Sequence, residues 1–347
     1  MLAYIVRRTI LAGFTLFSIS FVSFFIVQIP EGDVIDQIRV QLRDYHQAEP
    51  DEQLLVEARE RLGLDNPLIV QWWDWVMNII TKGDFGNSYT EVAGQRIEGN
   101  PVVKVLKDRL PFTILLAVFT VVVVWIFSIP VGIYSAVRQH SIGDYVFTFL
   151  GFTGLAVPDF LLGLVLMYVF FAYFDHKVGG LFDYDYRNAA WSVGRVLNLL
   201  QHLIIPGIVM GTAGTAGLIR VMRNNLLDEL KKPYVVTAHA KGLPAWRVIA
   251  KYPVRVAFNP FISGIGSMLP GLLGADAIVS IVLGLPTMGP IMLQATLAQD
   301  GPIVAALILV YSGLGVIGTL ISDFMLVVVD PRIKLTGSAR GSTSGAV

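Results

Sequence analysis

Six stretches of the chain stay apolar long enough to cross a bilayer, each crossing needing about 20 helical residues. They run over roughly 9–29, 110–136, 145–174, 202–219, 260–285 and 302–329. The fourth is short and glycine-rich, and the fifth is interrupted by Pro270, Gly271, Gly274 and Asp276. The pattern predicts an all-α polytopic membrane protein with six transmembrane helices. The first run follows Arg7 and Arg8 and carries no charge from Thr9 to Val27. It is longer than the core of a signal peptide, about 7–15 residues, and no small-x-small cleavage site follows it. Residues 1–29 therefore read as a retained N-terminal span.

The segment 30–109 is too long for a simple loop. Glu52 to Leu64 has helical spacing of apolar residues, with Gly63 near its end. Leu68 to Ile80 carries Trp72, Trp73, Trp75 and Met77. Such a run suits an amphipathic helix at the membrane interface, where indole rings settle. It suits the core of a small external subdomain equally well. Beyond the segment, 110–333 reads as the membrane domain and 334–347, rich in Gly, Ser and Ala, as a flexible tail.

Charge placement sets the orientation, because Lys and Arg collect on the cytoplasmic side. With the N-terminus inside, that side holds Arg7, Arg8, Arg138, eight basic residues between Arg220 and Arg255, and a basic tail. The segment 30–109 holds nine Lys/Arg against fifteen Asp/Glu and faces outward. Both termini are then cytoplasmic.

Composition agrees with the pattern and removes alternatives. The 347 residues are 54% hydrophobic and 15% charged, against about 25% charged in a soluble domain. The formal net charge is zero, which gives no basis for nucleic-acid binding. There is no cysteine, hence no disulfide and no thiolate metal site. There is no G-x-x-x-x-G-K-[ST], no H-E-x-x-H and no G-x-S-x-G. The histidines at 46, 140, 176, 202 and 239 are dispersed without metal-ligand spacing, and at loops or span edges a solvated histidine is the ordinary reading. No cofactor is expected on this chain. Uphill movement of a solute would draw its energy from a partner or an ion gradient.

The most informative stretch lies within 220–259, between the fourth and fifth runs. Pro233 can open a helix at its first turn. Tyr234 to Lys241 then forms a short helix with small residues at Ala238 and Ala240, and Gly242 ends it. Pro244 can start a second helix through Trp246 and Ile249. Basic charge alone is explained by topology. The string Tyr234-Val-x-Thr237-Ala238-x-Ala240-Lys241-Gly242-Leu is more specific. It resembles the EAA loop of ABC importer permeases, in the form carried by the dipeptide/oligopeptide/nickel branch. The lead-in Asn224-Asn-Leu-Leu-Asp-Glu229 resembles that branch too. So do Gly83-Asp-Phe-Gly-Asn-Ser88, Pro101-Val102, Arg109-Leu-Pro111-Phe-Thr113, Ser128-Ile-Pro130-Val-Gly132, Gln299-Asp300-Gly-Pro302 and Val329-Asp330-Pro331-Arg332-Ile333, in family order. Thr237 stands where other importer families carry the glutamate of the motif. His239 and Pro244 depart from common residues of the branch. Gly284-Leu-Pro-Thr-Met-Gly289 matches the family's glycine-rich turn only loosely.

The resemblance implies a permease forming half of a membrane channel for peptides, oligosaccharides or nickel. A second related permease subunit would form the other half. Two ABC ATPase subunits would bind ATP and Mg, and an external solute-binding protein would deliver the ligand. Tyr234, Thr237, Ala238, Ala240, Lys241 and Gly242 would form the ATPase-coupling helix. For the pathway, Asp276 with Ser280 is the leading candidate, because an ionisable residue at membrane depth is a functional hypothesis by default. Its bland alternative is a buried hydrogen bond to a neighbouring helix. Asp159, after Pro158, is a second candidate or a helix cap. Asp323 reads as an interfacial salt bridge, and the glycines at 207, 211, 214 and 217 as packing positions. The rivals are a secondary transporter or channel, which would need no ATPase, and a membrane-embedded enzyme, for which no residue constellation is present.

Overall fold

Apolar runs in lipid must satisfy every backbone N–H and C=O internally, so they become helices. The computed structural model describes residues 2–29, 35, 39, 43, 52–61, 64–88, 101–174 and 179–329. In chain order its helices are α1 (Leu2–Val27), α2 (Glu52–Arg61), α3 (Leu68–Lys82), α4 (Val102–Val137), α5 (Ile142–Ala156), α6 (Asp159–Phe174) and α7 (Val193–Leu230). They continue as α8 (Pro233–Ala240), α9 (Ala245–Lys251), α10 (Pro253–Ala257), α11 (Asn259–Leu283), α12 (Met288–Leu297) and α13 (Gly301–Val329). Among the described residues the only β pairing is an isolated bridge between Asn87 and Pro101. The flexible tail, the Asp330–Ile333 part of the last motif, Gly63 and most of 30–51 and 89–100 lie outside the described residues.

Five helical stretches are long and apolar enough to cross a membrane, and two bent helix pairs bring the number to as many as seven. Three of the expected spans change shape. The run 145–174 is not one rod: α5 and α6 meet at 105°. Val157 adopts extended angles (φ −86, ψ 124) ahead of Pro158, as expected where a proline ring crowds the preceding residue and supplies no N–H. The run 202–219 is only the middle of α7, a helix of 38 residues, about 57 Å at 1.5 Å per residue. Its polar ends conceal its length from an apolar-run search. The run 260–285 stays helical through Pro270 as α11, stops at Gly284 (φ +64), and turns by 102° into α12.

The core is built around the α4–α7 pair, the most extensive helix contact among the described residues. Small residues allow the approach: a Cβ on Gly207 would fall 2.8 Å from the Phe119 ring, and one on Gly211 2.9 Å from Val124. Gly217 has open space instead, so only part of the expected glycine packing is realised. Leu116, Leu203, Val209, Val279 and Leu283 bury together at this centre. A second layer joins α11 to α13, and α1 packs on the outer side of α13. The Arg8 Nε lies 2.7 Å from Asp323 Oδ2 across that contact, so Asp323 does form an ion pair.

Candidate functional site

The loop after α7 folds into a small unit of its own. Lys232 sits in extended conformation (φ −73, ψ 146), Pro233 takes the first helical position, and α8 runs eight residues. Its stop is local: Gly242 has φ +76 and its N–H donates to His239 O at 2.9 Å. An L-residue is disfavoured there, which is why glycine closes the helix. Pro244 then caps α9 as its entry residue.

Side chains of α8 divide into two faces. Val235 and Ala238 pack inward on Val248 of α9, with Leu243 and Tyr252 around them. The small side chain of Ala238 therefore lets α8 approach its own return helix. Val236, Thr237, Ala240 and Lys241 are exposed on the other side. Tyr234 is the hinge between faces: its hydroxyl donates to the Glu229 carboxylate, and its ring lies 6.5 Å from the Tyr252 ring. Burial, then the hydrogen bond to Glu229, raises its phenol above the ordinary tyrosine range. The Thr237 hydroxyl donates to Pro233 O at 2.9 Å, within its own helix.

This unit is mounted on a rigid base. Met222 and Leu226 of α7 bury with Ala257 of α10, Phe261 of α11 and Ala136 of α4. Beside them, Arg223 of α7 reaches Asp144 of α5 through two hydrogen bonds, Nε to Oδ1 at 3.1 Å and a terminal nitrogen to Oδ2 at 3.0 Å. A forked guanidinium–carboxylate pair fixes orientation as well as distance. The Asp144 carboxylate also accepts from the backbone N–H of His140, a non-glycine residue at φ +63. No local pattern in the sequence marks this pair, whose members stand 79 residues apart.

Asp276 and Ser280 lie together on α11, and both are buried, at 1% and 0% exposure. The Ser280 hydroxyl donates to one carboxylate oxygen of Asp276, and the other accepts from the Gly289 N–H at 3.1 Å, at the start of α12. A Cβ on Gly289 would fall 2.5 Å from the Ala277 Cα. The loosely matching turn 284–289 is thus held against α11 by close backbone contact and a carboxylate. Asp159 is not part of this cluster; it opens α6 at the 105° corner, half-buried. His202, expected to be solvated, is 5% exposed, with Nδ1 2.8 Å from Asn198 O. It lies inside the long α7 rather than at a span edge.

Two motifs far apart in sequence meet at the opposite end of the molecule. The Ser88 hydroxyl donates to Asp300 Oδ2 at 2.5 Å, 212 residues away. Asp300 is fully buried and also accepts from the Ile303 N–H at the start of α13. Val102 N–H donates to Gly86 O at 3.0 Å, and Trp75 Nε1 donates to Phe85 O at 3.2 Å. Among the described residues no group of three or more His, Cys, Asp or Glu is arranged to hold a metal ion.

The family described as binding-protein-dependent transport system inner membrane component matches residues 128–335, and its N-terminal counterpart matches residues 1–117. The chain belongs to this family. The permease is 34% identical over 335 residues to the oligopeptide transport system permease protein AppB of Bacillus subtilis, covering 96% of this chain and 100% of that relative. It is 27% identical over 336 residues to the dipeptide transport system permease protein DppB of Lactococcus lactis, covering 96% and 100%. It is 27% identical over 334 residues to the glutathione transport system permease protein GsiC of Salmonella typhi, covering 96% and 99%. It is thus a multi-pass permease component of an ABC importer of the inner membrane, and not itself the catalytic subunit.

Proposed function

We propose that this permease forms half of the translocation pathway of a peptide importer. A second permease supplies the other half, two ATPase subunits with ATP and Mg drive it, and an external binding protein delivers the ligand. The chain crosses the membrane six times with both termini in the cytoplasm. The observation that carries the reading is α8: a short helix opened by Pro233 and closed by Gly242 at the end of α7, with Val236, Thr237, Ala240 and Lys241 turned outward. A peg of this kind suits a groove in an ATPase. Nucleotide-driven closure would then shift α7 and bias the spans between two arrangements. Peptide is favoured as solute by the oligopeptide, dipeptide and glutathione permeases among the relatives.

Reconstitution of the permease with its second permease and two ATPases in liposomes tests the proposal. ATP hydrolysis should rise when peptide-loaded binding protein is added, with uptake of the labelled peptide. Hydrolysis indifferent to the loaded binding protein would overturn the reading. Stimulation by nickel or an oligosaccharide, and by no peptide, would correct the solute.

A further inference from the structure

Of the three faces of helix α3, one is buried against the described residues. At about 100° per residue, Trp72 and Val76 fall on one side and are buried, at 6% and 7% exposure. Gln71, Asp74, Asn78, Thr81 and Lys82 fall on the side that suits water. Between them runs a third strip made of Ile69, Val70, Trp73, Met77 and Ile80, all exposed, with Ile80 at 71%. The apolar arc is therefore about twice as wide as the surface that covers it.

The depth of α3 follows from what its buried face touches. Trp72 lies edge-on to Phe17 and Phe21 of α1, at 5.2 Å from each ring, and its indole N–H donates to the Ser20 hydroxyl at 3.3 Å. Trp75 lies 5.8 Å from Phe24. Ser20 stands twelve residues along α1 from Arg8, a charge paired with Asp323 that belongs at the membrane boundary rather than at its centre. Twelve residues rise about 18 Å, which stops about 12 Å short of the far side of a hydrocarbon core about 30 Å thick. Counting back seven residues from Val27, the end of α1, gives about 10 Å. By both counts, for an upright α1, the contact lies inside the acyl region; a tilt of α1 increases the depth counted from Arg8 and decreases the one counted from Val27. The free strip also continues a lipid-type surface, since Phe14, Val22 and Ile26 of α1 are exposed as well.

We infer that α3 is immersed in the membrane boundary, with Ile69, Trp73, Met77 and Ile80 against acyl chains and Asp74, Asn78 and Lys82 toward water. The depth is that of interfacial helices, whose apolar face sinks about 5–10 Å. Its bearing on transport runs through Trp75. That indole holds Phe85 O, three residues before Ser88, which is fastened to the buried Asp300 at the start of α13. Lipid thus keeps the segment 83–88 at a fixed height over the ends of α4 and α13.

The chain has no cysteine, so single cysteines can be placed without background. Nitroxide labels at Ile69→Cys, Trp73→Cys and Ile80→Cys, with Asp74→Cys and Lys82→Cys as controls, would be examined in the assembled transporter in liposomes. Power saturation with oxygen and with a water-soluble nickel chelate reports the surroundings. Labels at 69, 73 and 80 should collide more with oxygen than with the chelate, and labels at 74 and 82 the reverse. Chelate-dominated relaxation at 69, 73 and 80 would put the strip in water and overturn the proposal. Protection from both reagents would show a protein partner over the strip and would overturn it too. All five positions are exposed, so the labels leave the fold intact.

Discussion

Replacing Gly242 should grade transport by backbone conformation alone. The residue has φ +76, and a Cβ placed on it would meet nothing within 4 Å. No packing clash therefore contributes, and the cost of a side chain is the cost of holding an L-residue left-handed. That cost is roughly 1–2 kcal/mol for an ordinary residue and reaches about 3 kcal/mol for a β-branched one. Asparagine tolerates the region better than other side chains and should cost less than alanine. The buried contacts holding α8 are few: Val235, Ala238 and Val248. So little resists the strain that the loop should re-form rather than endure it. At about 1.4 kcal/mol per factor of ten, Gly242→Ala lowers the docking-competent fraction about fivefold and Gly242→Val about a hundredfold relative to a competing conformation of equal energy. Loss of competent population appears as loss of apparent affinity for the partner. Stimulated ATP hydrolysis by the reconstituted complex should therefore fall in the order Asn, Ala, Val, with membrane insertion unchanged in all three. Equal activity of Gly242→Val and Gly242→Asn would refute the conformational argument.

Two other substitutions test the supports of the site. Asp144→Ala leaves the guanidinium of Arg223, 23% exposed, facing an emptied pocket; losing the charged partner of a half-buried group costs about 1–3 kcal/mol. The solubilised permease should melt at a clearly lower temperature, and adding Arg223→Met should restore part of the loss. Gly289→Ala forces a Cβ against the Ala277 Cα at 2.5 Å and stretches the hydrogen bond from Gly289 to Asp276. Overpacking at about 1–3 kcal/mol plus a lost hydrogen bond at about 1 kcal/mol should destabilise the α11–α12 corner, read as faster proteolysis there. Ala at Gly217, which has open space, should be neutral in the same assay.

The parts of the molecule written in local signals were readable from the sequence. Apolar runs gave α13 nearly end to end and the C-terminal ends of α1 and α4, whose starts at Leu2 and Val102 lie seven and eight residues before the runs. Pro233 and Gly242 bracketed α8 because both act through their own backbone angles. Asp159 after Pro158 reads as a helix cap, but the 105° turn there is not legible, since the angle is set by what α5 and α6 pack against. The length of α7 was hidden because its ends are amphipathic rather than apolar. The pairs that brace the structure join positions 79 and 212 residues apart, and no periodicity carries such information. The side chains of α8 that face outward were also illegible: Ala238 belongs to the inner face because α9 returns over it.

On the proposed function, the outward face of α8 seats in an ATPase subunit. Val236→Cys and Lys241→Cys, in a chain with no other cysteine, would be paired with single cysteines along the groove of the ATPase subunit and oxidised in membranes. A permease–ATPase crosslink should form from both positions, with a yield that changes when nucleotide is added, and none from a cysteine at the buried Val248. Crosslinking absent from 236 and 241, in a complex that still hydrolyses ATP on addition of loaded binding protein, would contradict it.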